Sequence, residues 1–178
     1  MGERQRGKES PQEGDSILTG EFVEPILAVT KEFIKYHGHL GPAVFLRMED
    51  GEQGVIPLAY LDSLKTVEER REYFASLGLS IRLAGDRIRE ALLVSEVWFV
   101  EPQEFKTLDV APSQHPARKE GISIVGRNSK GTRFTEVLQP FSRDKNNKPI
   151  FGPLKDAKYN VPGDDESRPS GLIDHLFG

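Results

Sequence analysis

The chain has 178 residues, of which 37% are hydrophobic and 29% charged, and its formal net charge is -4. This length and composition are typical of one globular domain whose core is large enough to be stable without disulfides or a structural metal. The acidic balance gives no general attraction to nucleic acid, and the absence of cysteine excludes disulfides, thiol nucleophiles and thiolate metal sites.

No apolar run approaches the about 20 residues that cross a membrane, and the charged beginning of the chain is not followed by a signal-peptide core. These features predict a cytoplasmic protein that does not enter a membrane. Residues 1–20 are rich in Glu, Arg, Gln, Gly, Ser and Pro and have almost nothing to bury. They therefore predict a disordered N-terminal arm.

The first predicted helix begins after Glu21 and ends near Tyr36. Its apolar residues recur at spacings of three and four, so we expect them to form one stripe that is buried on a sheet. Pro25 fits only in the first turn, and Gly38 can end the helix in the left-handed conformation. The predicted stripe consists of Phe22, Val23, Ile26, Leu27, Val29, Phe33 and Ile34.

A predicted β-hairpin follows, with strands Ala43 to Met48 and Val55 to Tyr60. Pro57 lacks an amide donor, which indicates an edge strand or a bulge. Thr66 and Glu69 then have the spacing of a capping box, which predicts the start of a second helix. Its expected apolar stripe, with Gly78 as a possible break, consists of Val67, Phe74, Leu77, Ile81, Ala84 and Ile88.

The stretch from Ala91 to Glu101 is apolar on both alternating faces, so it predicts a central strand with other elements packed on each side. Ser95 and Glu96 interrupt it. A carboxylate stripped of water there must be paired, hydrogen-bonded, protonated or at a surface opening. We expect Glu96 to pair with an Arg or Lys of a neighbouring strand; a catalytic or ligand-binding role is the alternative.

A proline-rich loop over residues 102–120 leads to a last predicted hairpin, with strands Gly121 to Gly126 and Thr132 to Leu138. The chain therefore predicts an α+β fold of order α-β-β-α-β-β-β with a mostly antiparallel sheet of about five strands and two main helices. We expect one domain over residues 21–142 and a largely flexible tail over residues 143–178.

The tail ends in a short apolar segment. Leu172, Ile173, Leu176 and Phe177 form one apolar face if this segment is helical. Such a face can dock on its own domain, which is the simplest case, on a neighbouring subunit or on another protein.

The turn after the first helix places His37 and His39 on either side of a glycine. Two imidazoles so close in an irregular turn can reach one metal ion, and His115 or Glu96 can complete the site if the fold brings them near. The alternative is that the pair is structural or exposed.

The heptapeptide from Tyr36 to Pro42 resembles the histidine-glycine-histidine turn of a protein family related to formylmethanofuran dehydrogenase. The resemblance implies that His37 and His39 occupy the functional turn. Gly41 stands where that family frequently has a cysteine, and the chain lacks the zinc-binding cysteines of some members.

The segment from Ala91 to Arg143 is similar to a pattern in conserved bacterial proteins of unknown function. In that pattern a strand with a serine-glutamate pair precedes a proline-rich loop, an arginine and a glutamate, an apolar strand and a hairpin. The resemblance supports the strand predictions and implies no known activity.

Three functions are compatible with these features. The first is a non-catalytic interaction or dimerising accessory module, which uses the central sheet and the apolar C-terminal segment to contact a protein partner or a second copy. The second is a metal-dependent enzyme in which His37 and His39 bind the metal and Glu96 is the general base or a ligand. The third is weak nucleic-acid binding through the cations around the last hairpin, although a solvated hairpin is the simpler interpretation. The cations around the last hairpin are Arg118, Lys119, Arg127, Lys130 and Arg133. No cofactor is indicated for any of the three functions.

Overall fold

The computed structural model describes residues 22–101, 104, 111–131, 134–156 and 169–178. They form an α+β fold in which one antiparallel sheet lies between helices. The predicted N-terminal arm and much of the predicted proline-rich loop lie outside the described residues. The helices are α1 (Glu24–His37), α2 (Val67–Leu83) and α3 (Pro169–Phe177), and the strands are β1 (Ala43–Met48), β2 (Gln53–Pro57), β3 (Ile88–Phe99), β4 (Lys119–Asn128), β5 (Phe134–Arg143), β6 (Pro149–Phe151) and β7 (Lys155–Asp156).

The central strand predicted from the apolar run is β3, which pairs with β1 on one side and with β4 on the other. The strand order is β2-β1-β3-β4-β5-β6, and β7 also pairs with β5. Leu92 and Val94 pack with α1, whereas Ala91 and Leu93 pack with α2 and α3 on the opposite face. Helices therefore cover both faces of β3, as its apolar sequence requires.

The predicted α+β class, the antiparallel sheet and the order of the first seven elements are confirmed. The sheet has seven strands where about five were predicted, because β6 and β7 follow Arg143. The rings of Phe141 on β5 and Phe151 on β6 lie 5.8 Å apart, and the Gln139 amide donates to the Gly152 carbonyl at 2.6 Å. These contacts attach a short, polar stretch to the outer edge of β5.

Helix α1 ends as predicted, since Gly38 has a φ of +79° and donates its amide to the Ile34 carbonyl at 2.8 Å. The prediction that Val29 and Phe33 lie in the buried stripe is wrong, because they are 62% and 44% exposed. Steps of three and four residues also connect positions on neighbouring lines of a helix, and the sheet covers only one of these lines. The buried residues within α1 are Ile26, Leu27, Thr30 and Ile34.

The hairpin of β1 and β2 is present, and Pro57 lies on an edge strand as predicted. The second strand begins and ends earlier than predicted, at Gln53 and Pro57. Leu58, which follows it, is fully buried. β4 and β5 form the predicted second hairpin but are longer than expected, and Gly131 between them has a φ of +64°.

Helix α2 begins with the predicted capping box. The Thr66 hydroxyl accepts a hydrogen bond from the Glu69 amide at 3.1 Å, and the Glu69 carboxylate accepts from the Thr66 and Lys65 amides at 3.0 and 2.7 Å. These bonds lower the pKa of Glu69, because they stabilise its charged form. Three members of the predicted stripe do not belong to it. Val67 and Ala84 are exposed, and both Ala84 and Ile88 lie beyond the end of α2 at Leu83, with Ile88 beginning β3.

Gly78 does not break α2, contrary to the possibility raised by its low helix propensity. It is buried where α3 crosses α2, and a Cβ atom at this position would lie 2.1 Å from the Leu176 carbonyl oxygen. Ile173 and Leu176 are fully buried there, and the Arg82 guanidinium donates to the Leu176 carbonyl at 3.0 Å. The glycine therefore permits a close backbone contact between the two helices.

We expect Gly78→Ala to destabilise the fold by about 1–3 kcal/mol, because the added methyl group must displace α3. This loss outweighs the gain of about 1 kcal/mol that alanine brings in a helix. Urea unfolding of the full chain measures the difference in free energy. Gly41→Ala is the matched control, since a Cβ atom at Gly41 meets no other atom within 4 Å. Equal stabilities of the two variants would contradict the packing described for α3.

Glu101 follows β3 and connects it electrostatically to β4 and β7. Its Oε1 atom accepts a hydrogen bond from Lys155 Nζ at 2.5 Å and lies 3.4 Å from Lys119 Nζ. The hydrogen bond from Lys155 is the main cause that lowers the pKa of Glu101, while partial burial acts in the opposite direction. The charged form of Glu101 is therefore favoured in the folded state.

This lowered pKa predicts a specific dependence of stability on pH. The contribution of Glu101 is present above the range in which glutamate ordinarily titrates, and it is lost as the pH falls through the lowered folded-state value. Glu101→Gln should therefore be less stable than the native protein near pH 7, and this difference should shrink on acidification. Urea unfolding at several pH values measures it, with the exposed Glu72→Gln as control. A difference that stays constant with pH would refute the assignment.

Candidate functional site

Glu96, the acid singled out in the central strand, holds the turn after α1 against the sheet. Its Oε2 atom accepts a hydrogen bond from the Leu40 amide at 3.0 Å, and its Oε1 atom lies 3.6 Å from Arg143 Nη2. Arg143 also donates from Nε to Glu120 Oε2 at 2.9 Å. Arg143 is on β5, so the ion pair spans β4 and does not join directly neighbouring strands. Both oxygens of Glu96 are thus engaged by groups of the protein.

This network forms where the face of the sheet covered by α1 opens to solvent. The side chains of Glu96, Glu120 and Arg143 are about one-fifth exposed, and two carboxylates face one guanidinium. Trp98, two residues after Glu96, is 44% exposed, and the Arg118 guanidinium lies 5.0 Å from the centre of its ring. The arrangement explains how an acid is tolerated in an apolar strand: it lies at the end of the buried zone and is paired.

His37 and His39 lie at the same end of α1, and both are exposed. The His37 ring contacts the Phe33 ring with a centroid distance of 4.3 Å, and His39 Nδ1 lies 3.2 Å from the His37 carbonyl oxygen. Among the residues that the structure describes, no group of three or more His, Asp or Glu side chains is placed to hold a metal ion. A metal bound by these two histidines would need ligands from elsewhere, and the metal site remains a prediction.

His115 is buried, and its Nδ1 atom accepts a hydrogen bond from the Ala117 amide at 3.1 Å. This bond assigns the ring proton to Nε2 in the neutral imidazole. The contact fixes the chain just before β4. It gives His115 a local structural role and does not connect it to the turn that contains His37 and His39.

The cations around the last hairpin are largely engaged within the protein. Arg127 pairs with Asp174 of α3 and lies over the Phe177 ring, with 4.8 Å between the guanidinium carbon and the ring centre. Arg118 donates to the Ser113 carbonyl at 2.9 Å. Lys130 is exposed, and Arg133 lies outside the described residues. Nucleic-acid binding through this hairpin stays a prediction.

The predicted interaction residues of the C-terminal segment lie mainly in the protein's own core. Ile173 and Leu176 are fully buried, while Leu172 and Phe177 are partly buried. An open cleft of about 520 Å³ borders the ends of α2 and α3. Acidic and basic side chains both line this cleft, and none of His37, His39 and Glu96 contributes to it. The lining comprises Glu49, Arg82, Gly85, Asp86, Arg87, Ile88, Ser129, Leu176 and Phe177.

The outer face of α1 is the apolar surface that the sequence interpretation missed. Val29, Phe33 and Tyr36 are 62%, 44% and 85% exposed, and their spacing of four and three residues places them on one side of the helix. His37 extends this side through its contact with Phe33. Together Val29, Phe33, Tyr36 and His37 are called the α1 outer face below.

Glu32 borders the α1 outer face, three residues after Val29 and four before Tyr36, whereas Lys31 lies on a different side of the helix. Lys35 Nζ lies 2.5 Å from Glu32 Oε1, and Lys31 Nζ lies 5.4 Å from the centre of the Phe151 ring. Partial burial, and secondarily the charge of Lys35, lowers the pKa of Lys31. An apolar centre with a charged border is the usual anatomy of a protein contact surface.

Comparison of the chain with protein-family models, with curated proteins and with solved structures finds no match. None of the described helices combines the length and the apolar character needed to span a bilayer.

The Glu96 contacts predict that this residue positions the turn. Glu96→Ala removes both contacts and leaves the Leu40 amide without its acceptor, so we expect a loss of about 1–3 kcal/mol in the free energy of unfolding. Glu96→Gln keeps an acceptor oxygen for Leu40 and should lose less. Urea unfolding gives the energies, and the amide chemical shift of Leu40 reports its hydrogen bond. Unchanged stability and an unchanged Leu40 shift in Glu96→Ala would contradict this role.

Proposed function

We propose that the protein is a non-catalytic interaction module that binds a protein partner through the α1 outer face. The observation that carries this proposal is the group formed by Val29, Phe33 and Tyr36. Three large apolar side chains remain exposed on a helix whose neighbouring side is already buried in the core. Single exposed apolar residues are ordinary, whereas a contiguous group of them is typical of a binding surface.

The composition of this surface supports a protein as the partner. Aromatic side chains are enriched in protein interfaces, because they bury a large area and lose little conformational freedom. Phe33 and Tyr36 supply two such side chains, and the His37 ring packs against the Phe33 ring. A rigid helix that presents residues at these spacings fits a hydrophobic groove on another protein.

The C-terminal segment is a weaker candidate for the contact. Its two most apolar positions, Ile173 and Leu176, are fully buried against α2, so a partner would have to displace α3 to reach them. The α1 outer face requires no such rearrangement, which is why we assign the contact to it.

The metal-dependent enzyme remains the second hypothesis, and one contact favours it. Glu96 reaches the turn between His37 and Leu40 through the Leu40 amide, so the predicted base and the two predicted ligands belong to one region. The same contact also counts against the enzyme, because it occupies an oxygen of Glu96 that a general base would need for its substrate. The interaction module is simpler, since it requires no change in the observed hydrogen bonds.

Site-specific photo-crosslinking tests the proposed contact. A benzophenone side chain placed at Tyr36, in the full chain expressed in its cells of origin, should give a discrete adduct with one protein under ultraviolet light. Val29→Asp in the same chain should abolish the adduct. Because Val29 is exposed, we expect this substitution to change the free energy of unfolding by less than about 0.5 kcal/mol.

The matched control carries the benzophenone at Leu83, which is 79% exposed on α2 at the other side of the sheet. The proposal fails if Tyr36 gives no discrete adduct, or if Leu83 gives the same one. It also fails if Val29→Asp leaves the adduct unchanged, or if the adduct consists only of two copies of this chain.

A further inference from the structure

Strand β2 is an edge of the sheet, and no strand within the described part of the chain pairs with its outer side. Proteins commonly protect such an edge with charged side chains, bulges or covering segments, because open backbone groups pair readily with another strand. At the other side of the sheet, β6 and β7 both pair with the outer edge of β5. β2 has no charged residue; its sequence is Gln53, Gly54, Val55, Ile56 and Pro57.

The pairing with β1 determines which backbone groups of β2 point outward. At one end Met48 donates its amide to the Glu52 carbonyl at 2.8 Å, and at the other end Leu58 donates to the Pro42 carbonyl at 2.8 Å. Hydrogen-bonded and non-hydrogen-bonded pairs alternate along an antiparallel ladder. The even-numbered residues of β2, which lie between these two pairs, therefore direct their backbone groups toward β1.

The odd-numbered residues Gln53, Val55 and Pro57 consequently direct their backbone groups away from the sheet. The outer edge offers the amides of Gln53 and Val55 together with the carbonyl groups of all three residues. Pro57 lacks an amide, but because this position faces outward the ladder with β1 loses no hydrogen bond. The proline is thus compatible with a second pairing that needs only its carbonyl group.

We propose that two copies of the protein pair antiparallel through their β2 edges, with Val55 of one copy opposite Val55 of the other on a two-fold axis. In this register each Val55 amide donates to the Val55 carbonyl of the other copy. Each Gln53 amide donates to the Pro57 carbonyl of the other copy. The interface is isologous, and only the Gln53 carbonyl group is left to water because Pro57 has no donor.

The side chains are compatible with this symmetric register. Val55 is 54% exposed, and pairing places the two Val55 side chains next to each other on one face of the extended sheet. Glu52 comes opposite Leu58 of the other copy and does not face another Glu52. The neutral edge therefore brings no like charges into direct opposition.

The dimer has a consequence for binding that rests on the proposed function. The two-fold axis of an antiparallel pair is perpendicular to the sheet, so both copies of α1 lie on the same face of the continuous sheet. The two α1 outer faces would then point in the same direction, and a partner with two binding sites can engage both of them.

Analytical ultracentrifugation over a series of concentrations tests the pairing in the full chain, and hydrogen exchange locates it. We expect a reversible dimer in which the Gln53 and Val55 amides become protected as the protein concentration rises. The Ile56 amide, which faces β1, should stay protected at every concentration and serves as the internal control.

Val55→Lys is the matched disruptive variant, because it places two like charges opposite each other on the two-fold axis and keeps the monomer fold. It should raise the dissociation constant about fivefold or more, whereas Val55→Thr keeps a neutral β-branched side chain and should change it little. Circular dichroism verifies that both variants are folded.

A monomer at all concentrations overturns the pairing, and so does a dimer in which the Gln53 and Val55 amides remain unprotected. Equal dissociation constants for the Val55→Lys and Val55→Thr dimers would also overturn it. Each of these results leaves the photo-adduct at Tyr36 unaffected. Loss of that adduct alone, with the concentration-dependent protection of β2 retained, would instead refute the proposed function and preserve the dimer.

Discussion

The fold depends on one constraint, which is that β3 is apolar on both of its faces. A strand of this kind must be covered twice, and the chain supplies α1 for one face and α2 with α3 for the other. On the face covered by α2 and α3, the backbones of these two helices must approach each other closely. The short helix α3 reaches the core only where Gly78 leaves room for the Leu176 backbone. A segment nearly at the C-terminus of the chain is therefore part of the core of the domain.

The same constraint explains why polar groups of this sheet occur where they do. Glu96 lies on the face covered by α1, and there the helix ends and the sheet becomes accessible to solvent. The carboxylate can be retained because the Leu40 amide and Arg143 replace the water that it loses. In return it fixes the chain that leaves α1. An acid that would destabilise the middle of the strand therefore stabilises its end.

Much of this architecture can be predicted from the sequence, because the signals are local. The Thr66 capping box, the left-handed Gly38 and the apolar run of β3 each act within a few residues, and each is found as expected. The errors concern long-range contacts. Whether Val29 faces the sheet depends on how the whole helix docks, and β6 forms because the sheet offers an edge to a stretch with little strand pattern of its own. The partner of Glu96 lies 47 residues away on a strand that is not adjacent, so no spacing rule could identify it.

The two surfaces assigned here have a common origin in how the sheet is covered. A single helix on one face has an inner side to bury and an outer side in solvent, so an apolar outer side indicates a contact beyond the domain. An edge strand has the corresponding property within the plane of the sheet, since its inner side pairs with β1 and its outer side lacks a partner among the described strands. The α1 outer face lies on one face of the sheet and the β2 edge lies in its plane, so the two surfaces point in different directions. Joining two copies at β2 would therefore double the helical surface without altering it, and the gain in binding strength would come from effective concentration and not from new contacts.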